Sequence, residues 1–447
     1  MYRTPRVRVY RREGKALVDS EAMASIRPFK GLRFSSGAGP IDSLTAPPYD
    51  VLSAAQRDEY AARNPHNVVH LTLPEQKEDD RSKYIKYARS AALLTAWRQE
   101  GALSPEAKPA IYRYTQHFHL PGIPDAFSRT AMIALIKVEP YDKGIVLPHE
   151  QTFPKHKEDR MRILEATRSH LECIFGLYED ANSDVLKAIL AAPVTEKVDT
   201  HSDEGVDHEL EPITDETAVK ALVDLLADRK VWIADGHHRY ETALAYRQSQ
   251  GEKSDLIPED YLMMALCSIS DPGLVLLPTH RILKTLPFGP DELIQRLSTV
   301  YDLREVSGES LMAEIEKIHA SGSRAFGLAL PGNKGYVLVE KVPGTAVAMN
   351  DAEEGDALKA LDVTVLHRVI LEKLLGIKGL EQIAYTRDAE EAVAAPDSGS
   401  AAAFLMNPPS VADMQEIAQC GEKMPQKSTY YYPKILSGLI IWSLNDF

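Results

Sequence analysis

The densest run of reactive side chains is Asp235-Gly236-His237-His238-Arg239, set between a short apolar run at 231–234 and a helical pattern from 240 onward. The N–H groups of a helix's first turn have no partners within the helix, and with the helix dipole they attract an anion. Gly236 lets the backbone turn tightly and approach a ligand closely. Arg239 can grip two phosphate oxygens, and the imidazoles of His237 and His238 can donate to others. Asp235, at the strand end, suits a magnesium ion (Mg2+) or the orientation of a reacting hydroxyl. The five residues read as a phosphate cradle. A plain N-cap with surface histidines explains them less well, because a cap needs one polar residue and not five. The spelling is neither a Walker A sequence nor G-x-G-x-x-G, so generic NTPase and dinucleotide-binding folds lose support.

A second cluster is Pro148-His149-Glu150-Gln151-Thr152 followed by Lys157-Glu158-Asp159-Arg160. Glu150 is a candidate general base if a substrate hydroxyl lies beside it. His149 and His156 are two helical turns apart, but Pro148 and Pro154 break any helix across them, which argues against a zinc pair. A solvated loop leading into a capped helix accounts for this stretch equally well. Ala46-Pro47-Pro48-Tyr49-Asp50 is a proline-fixed loop presenting a phenol and an acid. Lys423 to Tyr430 offers Lys427, Ser428 and Thr429 to an anion, although both lysines are equally at home as snorkelling surface groups. Pro278-Thr279-His280-Arg281, after a strand, is the weakest hint.

The elements that must position these clusters follow from periodicity and punctuation. Strands are expected at 111–118, 130–138, 174–178, 231–234 and 402–406, and helices at 157–169, 216–226, 240–250, 361–375 and 411–419. Ser53-Ala-Ala-Gln56 spells a capping box, and Asn64-Pro65 closes its helix. Strands at 261–268 and 274–277 flank Asp271-Pro272-Gly273 as a pair, and Pro331-Gly332-Asn333 is a second hairpin turn. The class is mixed α/β. A length of 447 residues suggests two or three packed units. The divisions expected are a flexible extension at 1–24, an α/β domain at 25–194, the D-G-H-H-R domain at 195–345 and a C-terminal α/β segment at 346–447 that completes the site. The polar, acidic stretch 195–215 is the linker candidate.

Charge and cysteine usage bound the partners. The net charge of −14 repels a phosphate backbone and argues against nucleic acid, while leaving room for a local cationic pocket. Cys173, Cys267 and Cys420 are far apart, odd in number and set among apolar residues, so buried free thiols and a reducing cytoplasm are expected. The first fifteen residues carry six basic side chains but no apolar core, unlike a secretory signal. The apolar run at 435–444 is far short of the ~20 residues that span a bilayer. A small molecule is the expected partner. Residue types set no oligomeric state, and a homodimer is compatible with them.

Six motifs in order carry a resemblance: A-P-P-Y-D-V (46–51), P-H-E-x-T (148–152), K-x-D-R (157–160), A-D-G-H-H-R-Y-E-T-A (234–243), P-T-H-R (278–281) and M-P-Q-K-S-T-Y-x-x-P-K (424–434). Together they resemble the domain-of-unknown-function 1015 family, from about Ile26 to the C-terminus. Thr167-Arg168-Ser169-His170 departs from that family's A-T-R-A-N spelling. The D-G-H-H-R turn is also similar to the phosphate loop of the ParB and sulfiredoxin-like superfamily. Its free-serine kinases hold ADP or ATP phosphates on such a loop while a carboxylate activates the serine hydroxyl. That likeness implies a ParB/sulfiredoxin-like phosphate-binding unit joined to further mixed α/β domains, and a kinase using Mg2+ with ATP or ADP. In the roles it implies, Asp235, Gly236, His237, His238 and Arg239 hold phosphates, with Asp235 also on the metal. The catalytic carboxylate does not carry over residue by residue, and Glu150, Asp50 and Asp235 are candidates for it by residue type alone. From the residues themselves, Lys427, Ser428 and Thr429 are expected to assist the nucleotide, and Tyr49, His149, Thr152, Arg160, His280 and Arg281 to face the substrate. A nucleotide-binding regulator without an acceptor is the alternative.

Overall fold

The computed structural model describes residues 24–447 except 121, 122, 153, 352, 380 and 426. The extension expected at 1–24 lies, but for its last residue, outside the described residues, as does Gln426 of the last motif.

Two strands show why the first sheet forms. In Val231–Asp235, Trp232 and Ala234 enter one hydrophobic core while Val231 and Ile233 enter another. Tyr261–Ser268 alternates the same way, with Met263, Ala265 and Cys267 on one side and Leu262, Met264 and Leu266 on the other. Period-2 alternation with both sets apolar marks strands covered on both faces. The nine-stranded sheet runs Val146–Leu147, Val231–Asp235, Ile174–Tyr178, Tyr261–Ser268, Ile123–Lys137, Ile111–Leu120, Asp207–Ile213, Val198–His201. Ile26–Arg27 pairs beside the end of Ile123–Lys137. Val146–Leu147 lies parallel to Val231–Asp235, and Ile174–Tyr178 runs parallel to Tyr261–Ser268. Helices Asp184–Ala191 and Glu216–Leu226 cover one face through Val185, Ile189, Leu222 and Leu226. Pro154–Thr167 and His237–Ser249 are neighbours.

A second, six-stranded sheet is antiparallel throughout: Tyr301–Ser307, Lys334–Glu340, Ala325–Leu330, Ala402–Leu405, His280–Leu283, Ile383–Thr386. Helix Leu311–Ala320 packs on one face, and Val365–Leu374, a helix of wide π-type turns, supplies Val369 and Ile370 to the core of the other. The amphipathic pattern at 361–375 and its stop at Gly376 (φ 72°) are observed. So are the hairpin at Pro331-Gly332-Asn333 and the capping box, in which Ser53 and Gln56 exchange side-chain and backbone hydrogen bonds. The mixed α/β class is therefore the fold.

Three expectations are corrected. Residues 195–215 are no linker: they contain Val198–His201 and Asp207–Ile213, which close the edge of the first sheet against Ile111–Leu120. The acidic side chains alternate with buried Val206, His208 and Leu210, a strand pattern hidden under a high charge content. Strands on both sides of residue 195 thus build one sheet. Nor do 261–268 and 274–277 form a hairpin, since Val275–Leu277 pairs with Tyr430–Tyr432. The Asp271 carboxylate accepts from the backbone N–H groups of Thr130 (3.1 Å) and Gly273 (2.8 Å), fixing the turn against the neighbouring strand. Of the three thiols expected to be buried, Cys173 and Cys267 are, but Cys420 caps the C-terminus of helix Val411–Gln419 and is exposed. Smaller differences lie at element ends. The second strand of the long hairpin starts at Ile123, one helix spans Pro154–Thr167, and another starts at His237.

Candidate functional site

Strand Val231–Asp235 delivers Asp235 to the edge of the core, and Gly236 turns the chain with φ 92°, a left-handed conformation that favours glycine. Helix His237–Ser249 begins at once. Arg239 folds back over this turn. Its guanidinium donates to the Asp235 carboxylate (2.8 Å) and to the Cys173 carbonyl, while its Nε finds no partner among the described residues. The other Asp235 oxygen accepts from Lys434 Nζ. Burial alone would raise the Asp235 pKa, but the charges of Lys434 and Arg239 outweigh it and hold the carboxyl well below its usual range.

His237 is buried, and its Nε2 accepts the backbone N–H of His149 at 3.3 Å, which places the proton of the neutral ring on Nδ1. Burial keeps His237 far below its ordinary pKa and lowers His149 to about 4, so both rings are neutral near pH 7. The rings meet edge to face, with centroids 4.6 Å apart. His149 joins two motifs to a third, because its Nε2 pairs with the Thr429 hydroxyl (2.9 Å) and its carbonyl accepts from Met424 N–H (2.7 Å). His238 is half-buried at the helix start.

Glu150 follows His149 and receives the N–H of Lys427 at 3.4 Å. Burial raises its pKa to about 7, against the lowering effect of Lys427, and it also feels Asp235 and Lys434. A carboxyl titrating there is suited to general-base work near neutral pH. Lys427 itself is exposed, with φ 56°. Ser428 is buried, its hydroxyl given to the Pro425 carbonyl.

Asp50 is exposed and lies within electrostatic reach of Arg239. Tyr49 places its ring under Arg160, 3.8 Å from the guanidinium carbon, and its N–H donates to Glu172 (3.0 Å). Thr152 donates to Glu241 (2.6 Å), which also binds Lys157 (3.0 Å) and Lys423 (3.6 Å).

The clusters around 46–50, 148–152, 235–239 and 424–434 therefore converge. Several roles depart from the sequence reading. Both Asp235 oxygens are held by cations, an arrangement that does not fit a metal ligand, and no group of three or more metal-ligating side chains occurs among the described residues. Arg239 is spent on internal acceptors. Arg160 is buried on Thr72, Asp159 and Glu172. His280 and Arg281 are buried in the second sheet, His280 accepting from Met406 N–H and Arg281 donating to neutral groups. Lys434 and Glu172 were missed. Lys434 stood in the last motif, but its partner is 199 positions away. Glu172 carried a signal, a lone acid between Leu171 and Cys173 at the start of an apolar strand.

A sequence model described as "Protein of unknown function (DUF1015)" matches residues 26–364, well over half of the chain, and the chain belongs to that family. Among curated proteins none matches it. Similar solved structures include a free serine kinase in complex with ADP, at 14% identity and TM-score 0.35, covering 67% of this chain and 87% of the other. A conserved hypothetical protein from Pyrococcus furiosus aligns at 16% and 0.34, with 70% and 97% coverage. SbnI from Staphylococcus aureus aligns at 10% and 0.35, with 69% and 86% coverage. Among the described residues no helix is long and apolar enough to cross a membrane.

Proposed function

We propose that this protein is a nucleotide-dependent kinase, using ATP or ADP, that transfers phosphate to the hydroxyl of a small metabolite, free L-serine being the first acceptor to try. The observation that carries the reading is Glu150. A carboxyl whose pKa is raised to about 7 sits next to His149, whose N–H rests on His237 at the start of helix His237–Ser249. Phosphoryl transfer asks for positioning and charge neutralisation, with one group to accept the hydroxyl proton. Glu150 would accept that proton. The N-terminal turn of the helix would face phosphate oxygens, its dipole favouring negative charge, with Lys427 and Lys434 supplying positive charge nearby. Arg239 would act indirectly, by holding Asp235 and the turn. Asp235, with one oxygen on Arg239 and the other on Lys434, has none left for a metal ion.

The internal pairing of Arg239 favours a second reading, a nucleotide-binding regulator, because it removes the most obvious clamp for a transferring phosphoryl group. Phosphorus-31 NMR of the protein with Mg2+, each nucleotide and a serine-led mixture of hydroxylated metabolites separates the two. A new phosphomonoester resonance requiring both nucleotide and acceptor establishes the kinase. Bound but unchanged nucleotide establishes the regulator.

A further inference from the structure

The stretch formed by Met424 and residues 427–434 links the two sheets. On the first-sheet side it docks on His149 and Glu150. Met424 N–H bonds to the His149 carbonyl (2.7 Å), Met424 and Glu150 form a parallel bridge, and Lys427 N–H reaches the Glu150 carboxylate. From the second sheet, Arg281 Nη2 reaches the Lys427 carbonyl at 3.1 Å. Arg281 is 1% exposed. Its other hydrogen bonds go to the Thr279 carbonyl, the Met406 sulfur (3.3 Å) and His367 Nε2 (3.2 Å). Every one of these acceptors is neutral, and no carboxylate pairs with Arg281 among the described residues. Burying a guanidinium without a counter-charge is costly, so its burial calls for something the fork itself accomplishes. Lys427 supplies that something. Its backbone occupies the left-handed region (φ 56°), uncommon for a non-glycine residue and stable only where the surroundings over-determine it. Here the N–H is taken by Glu150 and the carbonyl by Arg281.

We propose that Arg281 is a positioning residue: anchored in the second sheet, it fixes the turn at Lys427 and so holds residues 427–429, with Met424 beside them, against Glu150. The second sheet thereby shapes a site to which it contributes no reacting group. This deepens the proposed function, because it rests on Glu150 as the acting carboxylate. Besides Lys427, the charged groups that Glu150 meets are Asp235 and Lys434, with the neutral ring of His149 adjoining it in sequence. Burial is the larger cause of its raised pKa and Lys427 the smaller, opposing one. Releasing the segment removes mainly burial, and the Glu150 midpoint falls.

The test uses the full chain and two readouts independent of turnover. Hydrogen exchange by mass spectrometry reports on peptides covering 424–429. Difference infrared titration, taken against Glu150→Gln in the same background, isolates the Glu150 carboxyl. Arg281→Gln is expected to speed exchange in 424–429 and to move the Glu150 midpoint down by about one unit or more. Arg281→Lys keeps the charge but cannot span the same acceptors, so it gives a smaller shift in the same direction, and it decides the matter if the glutamine variant does not fold. A folded variant whose midpoint and exchange are unchanged, or whose midpoint rises, overturns the proposal. Failure of the wild-type protein to phosphorylate any acceptor would sink the kinase reading and leave this titration result standing.

Discussion

Glu150 and Asp235 lie within electrostatic reach of each other, yet their environments drive their pKa values apart. Asp235 is overcompensated by Lys434 and Arg239 and stays ionised, whereas Glu150 is governed by burial and titrates at about 7. Pairs of carboxyls separated in this way divide labour, the permanently charged one organising cations and the titrating one moving a proton. For a general base the active form is the carboxylate, so turnover should rise with pH through about 7 and fall on the acid side. Glu150→Gln should lower kcat by roughly 10²–10⁴-fold, with nucleotide affinity little changed. The same shift has a stability sign. The folded pKa lies above the ordinary 4.5, so the folded state holds this proton more tightly, and the resulting stability is full below the ordinary range and lost as pH rises through about 7. Glu150→Gln, neutral at every pH, should therefore melt higher than wild type above pH 7 and show a flatter Tm-against-pH curve. A calorimetric series from pH 5 to 9 checks the stability effect, and a pH–rate profile checks the catalytic one. A wild-type rate that is flat through pH 7 would contradict the base assignment.

Among the elements, what could be read in the chain was local. Ser53 with Gln56, Gly376 after its helix and Pro331-Gly332-Asn333 between strands each act through atoms a few positions away, and each stands where the sequence put it. Asp271-Pro272-Gly273 had the same turn chemistry but a different outcome, because its partner is remote. Gly273 presses on the backbone of Ser128 so closely that a Cβ would stand 2.3 Å from the Ser128 carbonyl oxygen and 2.7 Å from Arg129 N. Neither atom can move without distorting the central hairpin. Gly273→Ala should thus cost about 3 kcal/mol by overpacking, measured by urea unfolding, whereas a glycine chosen only for turn geometry would cost about 1 kcal/mol. The site divides along the same line. Motif order showed which segments matter, but the pairing of Lys434 with Asp235 and of Arg239 with Cys173 depends on which chain ends the sheets bring together. Residue type in a linear sequence does not encode that.

At the scale of the molecule, the distribution of strands decides what can fold alone. The divisions read from composition place 25–194 and 195–345 in separate units, with the acidic stretch between them. In the structure Ile111–Leu120 has Asp207–Ile213 as an outer neighbour, and Ile123–Lys137 has Tyr261–Ser268 on its other side. Ile174–Tyr178 is flanked by Tyr261–Ser268 and Val231–Asp235. A chain ending at residue 194 keeps the long hairpin but loses the neighbours of four strands, Ile111–Leu120, Ile123–Lys137, Val146–Leu147 and, on both sides, Ile174–Tyr178, together with the apolar side chains Leu262, Met264, Leu266, Val231 and Ile233 that complete one core. Exposed, apolar, two-sided strands are templates for aggregation, and a hairpin without its neighbours is marginal in water. The fragment 25–194, expressed alone, should therefore lack a cooperative thermal transition and associate, and the fragment 195–447 should behave likewise. Mixing the two during refolding should restore a single transition, because the missing ladders are intermolecular but otherwise intact. Circular dichroism melts with size-exclusion chromatography check this. A soluble 25–194 fragment melting cooperatively by itself would show that the covalent order of the chain, and not the shared sheet, defines the folding units.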